Sequence, residues 1–404
     1  MILHPDAKPR LRPVEPFVEP DAGTVGVRDP SGLSGVALSL SEPALFILAL
    51  LDGTNTLGRI QDLFRGRYGQ PLSLETLVEL VTRLEESLLL EGPRFDAHYQ
   101  KLLDEYRAQP ARPMHSAAAL GLDSRPGEVF DGMLRSVAPA ACHSRIVGLI
   151  APHLDYPRGE PCYAAAYGAL ARQEPPERFV ILGTNHFGLG GRSAVTATGL
   201  DFATPLGTAR TDRAFLERLE EQCGDLRRHE FDHQGEHSVE LQVCWLQHLY
   251  GADRVRIVPL LCPDPCGPTG TAPYDGAGVD LAEFGRVLAE TMAADPGSTV
   301  VVAGADFSHV GGFFGDEREL DQGFLEEVHH RDQEVLEQIE SGAAADLRAC
   351  IARDENTTRI CSAGCMFTLM TALPDAAATV LRYHQAVQQS VQNCVTCAAV
   401  LFQQ

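Results

Sequence analysis

The chain has 404 residues, enough for two or three domains and a sizeable core. A hydrophobic content of 44% and a mean hydropathy of -0.09 describe an ordinary globular protein, without the apolar run of ~18 residues that a membrane span needs. The net charge of -22 argues against nucleic acid as a partner, because phosphate recognition requires a basic face.

Residues 1–34 are rich in Pro, Gly and Asp, with one strand expected near residues 23–27. The N-terminus lacks a basic segment followed by an apolar one, so no secretory signal is visible. The eleven cysteines, an odd and scattered set, then read as free thiols of a cytoplasmic protein. From Leu40 the pattern turns helical. Ser41-Glu42-Pro43 supplies a cap and a first-turn proline, residues 44–51 form an apolar body, and Asp52-Gly53 ends it. Further amphipathic helices are expected from Thr56 and over residues 73–84. Three short helices followed by Leu88-Leu89-Leu90 suggest a small winged-helix-like domain over 1–95. Its last helix carries Glu75, Glu79, Glu85 and Glu86, which suits peptide or protein docking rather than DNA. The runs LSEPALFILALLDGTNTLGRIQDLF and LVTRLEESLLLEG resemble the small peptide-chaperone domains of the PqqD type.

Residues 96–108 read as one more helix and 109–125 as a linker, so that 96–125 joins the first domain to a second at 126–404. In the second domain strands are expected at 146–151, 178–182, 255–261, 299–303 and 379–383, with a closing strand at 391–401. Helices are expected at 161–172, 212–222, 237–249, 280–294, 320–340, 345–353 and 362–372. The alternation predicts βαβ units in a layered α/β fold. Two of the apolar runs, IVGLIA and FVILGT, end in turns carrying His153 and His186. Parallel strands buried on both faces read this way, and open α/β sheets bind ligands beyond the carboxyl ends of such strands.

Other boundaries add chemistry. Glu236-His237 and Glu240 open a helix, Asp306 and His309 follow the run TVVVA, and Cys361 precedes a helix. Each has a plain structural reading: a loop histidine satisfied by backbone, charge at a helix N-terminus, a turn-forming aspartate, a buried thiol. Their common position at strand ends favours a shared site. Cys394-Val395-Thr396-Cys397 has the spacing of a metal or redox pair but no second pair, and reads as part of the closing strand. Cys262 and Cys266 flank a Pro-Asp-Pro loop. Cys142-His143 reads as incidental, and His329-His330, beside Asp332, as a solvated helix face. Gly188-Leu189-Gly190-Gly191 lacks dinucleotide-binding spacing.

The ordered motifs APHLDY, ILGTNHFG, DFATPLGTARTD, EHSVELQ, ADFSHVG and ICSAGC resemble the Memo family, whose bacterial members are called AmmeMemoRadiSam system protein B. The resemblance covers about residues 145–404. It implies a fold similar to the class III extradiol dioxygenases and a metal, Fe(II) or alternatively Cu or Zn, on His153, His186 and Cys361. It also implies Asp306, His309 and His237 beside the metal. From their chemistry these three are the expected catalytic groups, His309 and His237 for acid–base work and Asp306 to orient, with Tyr156, Asp155, Asn185, Glu236 and Glu240 expected toward substrate. The chain departs from the family at Phe187, Ser362, Cys365 and Asp155, which bears on substrate and metal preference rather than on the three ligands. Two imidazoles and a thiolate leave coordination positions for oxygen and substrate. The expectation is an O2-dependent non-haem iron oxidoreductase acting on a peptide or small aromatic molecule. The alternatives are a non-catalytic iron or copper-binding partner of a radical SAM or AMMECR1-like protein, and a zinc hydrolase.

Overall fold

A computed structural model describes residues 4–18, 25–122, 125–137, 144–186, 188–189, 194–274, 276–295 and 297–404. Cys142-His143, Phe187 and the Gly190-Gly191 pair lie outside the described residues. The chain divides into two compact units, Met1–Ala108 and Gln109–Gln404.

The first unit begins with an antiparallel sheet of β1 (Glu15–Val18), β2 (Val25–Arg28) and β3 (Ala37–Leu40). Four helices follow: α1 (Glu42–Leu50), α2 (Leu57–Tyr68), α3 (Leu74–Glu86) and α4 (Pro93–Arg107). Ser41, read as the cap of α1, makes no side-chain capping bond, although Pro43 does occupy the first turn; α2 and α3 are capped. The hydroxyls of Thr56 and Ser73 accept from Arg59 N and Thr76 N, and Gly69 takes the left-handed conformation that ends α2. Ile47, Leu57, Ile60, Leu77, Val81 and Leu84 share one apolar core. The small sheet precedes the helices. Leu88-Leu89-Leu90 follows the third helix as expected; Leu89 and Leu90 join the core, Leu90 makes an isolated bridge to Leu11, and the Leu89 carbonyl accepts from Arg12 N.

The second unit is a layered α/β domain. In chain order it comprises β4 (Arg112–Pro113), α5 (Pro126–Arg135), β5 (Ile146–Ala151), α6 (Tyr156–Leu170), β6 (Arg178–Thr184), β7 (Thr196–Ala197), β8 (Phe202–Thr204), β9 (Gly207–Thr211), α7 (Arg213–Cys223), α8 (Ser238–Tyr250), β10 (Arg256–Cys262), α9 (Leu281–Ala294), β11 (Thr299–Gly304), β12 (Asp306–Val310), α10 (Gln322–Ser341), α11 (Ala344–Ala352), α12 (Ala363–Ala372), β13 (Ala377–Gln388) and β14 (Asn393–Gln403). The strands form one sheet in the order β12-β14-β5-β11-β6-β10-β9-β8-β4, with β13 on β14 and β7 on β10. The central β5, β11, β6 and β10 run parallel, and β12, β13 and β14 close one side antiparallel.

Successive residues of a strand point to opposite faces, so continuous apolar runs imply cover on both sides. Along β6, Val180 and Leu182 enter a core shared with α7, α9 and α12, while Phe179 and Ile181 enter a second core shared with α5, α6 and α8. Trp245 of α8 lies fully buried in the second, stacked on Tyr167 at 4.9 Å.

Three expectations are revised. Residues 109–122 are built into the second unit: Arg112 is fully buried, and β4 pairs with β8. The Pro, Ala and Gly content that suggested a linker could not reveal that Arg112 has a buried carboxylate partner. The helix expected at 161–172 starts at Tyr156, because Asp155 accepts from Arg158 N and Pro157 occupies the first turn, where its missing N–H costs nothing. Residues 306–310, outside every strand expected and with Asp306 offering at most a turn former, form a strand against β14.

Candidate functional site

The site is built where the parallel strands end. β5 delivers His153, β6 delivers Asn185 and His186, β11 leads into Asp306, and β10 ends at Cys262. Because β11 lies between β5 and β6, these loops diverge around one crevice, the switch-point geometry of an open α/β sheet. Two helix starts complete it: His237 precedes α8, and Cys361-Ser362 precedes α12.

The structure brings together His153, His186 and Cys361, with one potential ligand atom from each within 4.8 Å of the others. The imidazoles of His153 and His186 stand at 85° with centroids 4.9 Å apart. Backbone and carboxylate partners fix both rings. His153 Nδ1–H donates to the Gly304 carbonyl at 2.9 Å, leaving Nε2 to face Cys361 Sγ at 3.4 Å. His186 Nδ1–H donates to Glu236 at 2.9 Å. Engaging the far nitrogen on a fixed oxygen is how proteins set the tautomer and aim of a ligating histidine. Glu236, almost fully buried, also accepts from Ser238 N and lies 3.3 Å from His237 Nδ1. The His237 ring stacks on His186 at 5.2 Å, and His186, Glu236 and His237 form a second potential ligand group.

Charge is organised around the thiol. Burial pushes Cys361 up, but His153, His309 and His186 outweigh it and hold the thiol well below its ordinary range. Burial likewise works against charge on His153, yet Asp306 and Cys361 raise it to about 9. His186 is raised well above the usual value by Glu236 and Cys361 against the same burial penalty. His237 is pushed down to about 4, chiefly by burial, so its imidazole is neutral at pH 7. Asp306 is raised by its burial; its Oδ1 accepts from His153 N at 3.0 Å and its Oδ2 lies 3.5 Å from His153 Nε2. A thiolate with two protonated imidazoles converging on it is a donor set whose protons a cation would replace. The residues fit a metal.

His309 sits on β12 with Nδ1 3.0 Å from the Phe307 carbonyl and its ring 5.2 Å from Phe314, near enough to act electrostatically on Cys361 and Asp306. Other expected residues have different work. Tyr156, expected to meet substrate, is fully buried against Phe130 and Trp245 and donates its hydroxyl to the Leu241 carbonyl. Glu240 is fully buried in an ion pair with Arg112 and accepts from His115 N and Ser116 N. Asp155 caps α6 and pairs with Arg158. Asn185 shapes its own loop, donating to Asp232 at 2.8 Å and accepting from Gly188 N. Each is committed to a protein partner, which sequence position alone did not show. Of the substrate-directed set, Glu236 meets both His186 and His237.

Two groups went unforeseen. Arg112, on β4, donates to the carbonyls of His233 and Glu236 and so pins the turn that aims Glu236. Asp332, read as part of a solvated face, is fully buried and accepts from Ser308, Thr396 and Tyr383. Its spacing of four from Val328 and Leu336 would have placed it on the inner face of α10. Cys394 and Cys397 are buried strand residues, and burial raises the Cys394 thiol to about 12.

Fold and site thus define a layered α/β protein carrying a histidine, histidine and cysteine cluster at a sheet switch point. The family described as Memo-like protein matches residues 128–401, and the chain belongs to it. It is similar to a MEMO1 family protein of Aquifex aeolicus, 25% identical over 87% of each chain, and to one of Thermus thermophilus, 29% identical over 84% of this chain and 97% of that one. A MEMO1 family protein of Methanopyrus kandleri is 35% identical over 40% of this chain and 53% of its own length. Among the described residues no helix is long and apolar enough to cross a membrane.

Proposed function

We propose that the second unit is a mononuclear non-haem iron centre that carries out O2-dependent oxidation of a substrate bound at the switch point. The observation that carries this reading is the convergence of His153, His186 and Cys361, with both imidazole Nδ1 atoms engaged behind them. These three residues would hold the metal; bound there, it would supply redox chemistry and open positions for oxygen and substrate. The chain's own groups would do the rest. Glu236 keeps the His186 Nδ1 proton and orients the ring. His237, neutral and with Nδ1 beside Glu236, has Nε2 left to take a proton from a bound molecule. Asp306 holds the His153 backbone N–H and keeps its loop closed on the thiol. His309, beside the aromatic Phe314 and close enough to act on Cys361, would return the proton.

A second reading, a non-catalytic copper or iron carrier, is favoured by one feature, the soft thiolate, which suits Cu(I). The experiment compares metal content and oxygen consumption for wild type, His153→Ala, His186→Ala, Cys361→Ser and His309→Ala. The enzyme reading expects near-stoichiometric iron lost in the first three variants, and oxygen uptake lost in His309→Ala with metal retained. Metal bound by the ligand variants would remove the site as drawn. Bound metal without oxygen chemistry would select the carrier, and zinc content insensitive to dithionite and air would select a hydrolase.

A further inference from the structure

Among the described residues five non-glycines have positive φ, and three of them, Glu355 (58°), Asn356 (54°) and Arg359 (58°), lie immediately before Cys361. Left-handed backbone is unfavourable for side chains other than Asn, Asp and Gly, and clusters of it persist only where surrounding bonds enforce them. Here the enforcing bonds are visible. The Asn356 amide closes on both backbone groups of Ile360: Nδ2 donates to the Ile360 carbonyl at 2.9 Å and Oδ1 accepts from Ile360 N at 2.8 Å. Arg359 N donates to the Asn356 carbonyl at 2.8 Å. The loop is also latched to β12. His309 N donates to the Thr358 carbonyl at 2.7 Å, and Arg359 donates to the His309 carbonyl while pairing with Asp316.

We propose that Asn356 is the positioning residue for the Cys361 thiol: its amide, clamped on Ile360, holds this strained loop in the one shape that turns Sγ toward His153. A chain leaving a left-handed turn has no strand or helix to set its direction. The side chain supplies the two hydrogen bonds that regular structure would otherwise provide, one residue ahead of the ligand. The inference rests on the reading of His153, His186 and Cys361 as a metal site, and its test separates the two.

Full-length wild type, Asn356→Ala, Asn356→Gly and Asn356→Asp are compared in two ways. Anaerobic cobalt(II) titration follows the thiolate-to-cobalt charge-transfer absorption. In the metal-free proteins, iodoacetamide alkylation of Cys361 is followed by peptide mass spectrometry, with half-buried Cys350 as internal control. Expected for Asn356→Ala and Asn356→Gly are cobalt affinity weakened by roughly 10–100-fold, a reduced charge-transfer band, and an alkylation rate of Cys361 changed several-fold relative to Cys350, with Tm shifted by only a few degrees. Asn356→Asp keeps the acceptor for Ile360 N and should fall between them and wild type. Glycine tolerates positive φ without strain, so a wild-type Asn356→Gly beside a defective Asn356→Ala would overturn the role of the amide. Wild-type spectra and alkylation in both variants would overturn the proposal outright. A wild type without the cobalt–thiolate band would remove the metal reading, while the alkylation comparison still decides the positioning.

Discussion

Glu236 shows how much of the site is settled by a single side chain. It is almost fully buried, and the His186 imidazole, first among its partners, helps hold its carboxyl well below the ordinary range against the penalty of burial. Glu236→Gln preserves shape but removes the charge that fixes His186 Nδ1–H. Loss of such a supporting carboxylate costs roughly 10–100-fold in metal affinity. We expect that loss in a competition titration with a chromophoric chelator, with the fold intact by circular dichroism. Unchanged affinity would mean that His186 is aimed by its backbone alone. At this scale the histidines and Cys361 were legible because each directly follows a strand or precedes a helix. Tyr156, Glu240 and Asp155 were misread because their partners, the Leu241 carbonyl, Arg112 and Arg158, are matters of tertiary or local geometry.

At the scale of the element, the start of α12 bears on the site most directly. Gly364 lies in the first turn, and a Cβ there would stand 2.0 Å from the Pro263 carbonyl oxygen and 3.2 Å from Cys262 Cβ. In an exposed helix Gly→Ala gains about 0.5–1 kcal/mol. Here the clash is with backbone, which cannot rotate away, and overpacking of this kind costs about 1–3 kcal/mol. Gly364→Ala is therefore expected to lower the urea midpoint and to weaken metal binding, since α12 would move away from the β10 end and carry Cys361 with it. A rise in stability would show that the Pro263 turn yields freely. The helix itself was readable from residues 362–372. Its close approach to β10 was not, because nothing in a run of small residues names the surface they touch.

Over the whole molecule, acid sensitivity has an identifiable contributor. His233 is buried with Nε2 3.1 Å from the Thr196 carbonyl, and burial, the largest influence, pushes its pKa down to about 3. In the unfolded chain the same imidazole titrates near about 6.5. Below that value the unfolded state binds more protons than the folded one. The stabilising effect of keeping His233 neutral is thus complete above about pH 6.5 and is lost as pH falls toward 3. Thermal denaturation of the metal-free protein between pH 7 and 4 should show Tm falling. His233→Gln should start lower at pH 7 and fall less steeply. Parallel profiles would assign the acid sensitivity to the carboxylates instead.

The sequence by itself determined the layered α/β class, the central strands and most helices to within a few residues, and it put His153, His186 and Cys361 at element boundaries, their grouping as one ligand set being implied only by the family resemblance. These follow from local rules: strand and helix periods, capping, and the habit of α/β sheets of ending strands at their sites. Tertiary structure alone decided strand order, with β11 inserted between β5 and β6, and so which turns share a crevice. It also turned residues 109–122 from an expected linker into the seat of Arg112, and made Asp332 a buried acceptor of three hydroxyls. The physical reason is the same in each case. A polar residue can enter a core only when a distant partner satisfies it, and that partner is chosen by the fold rather than by neighbours in the chain.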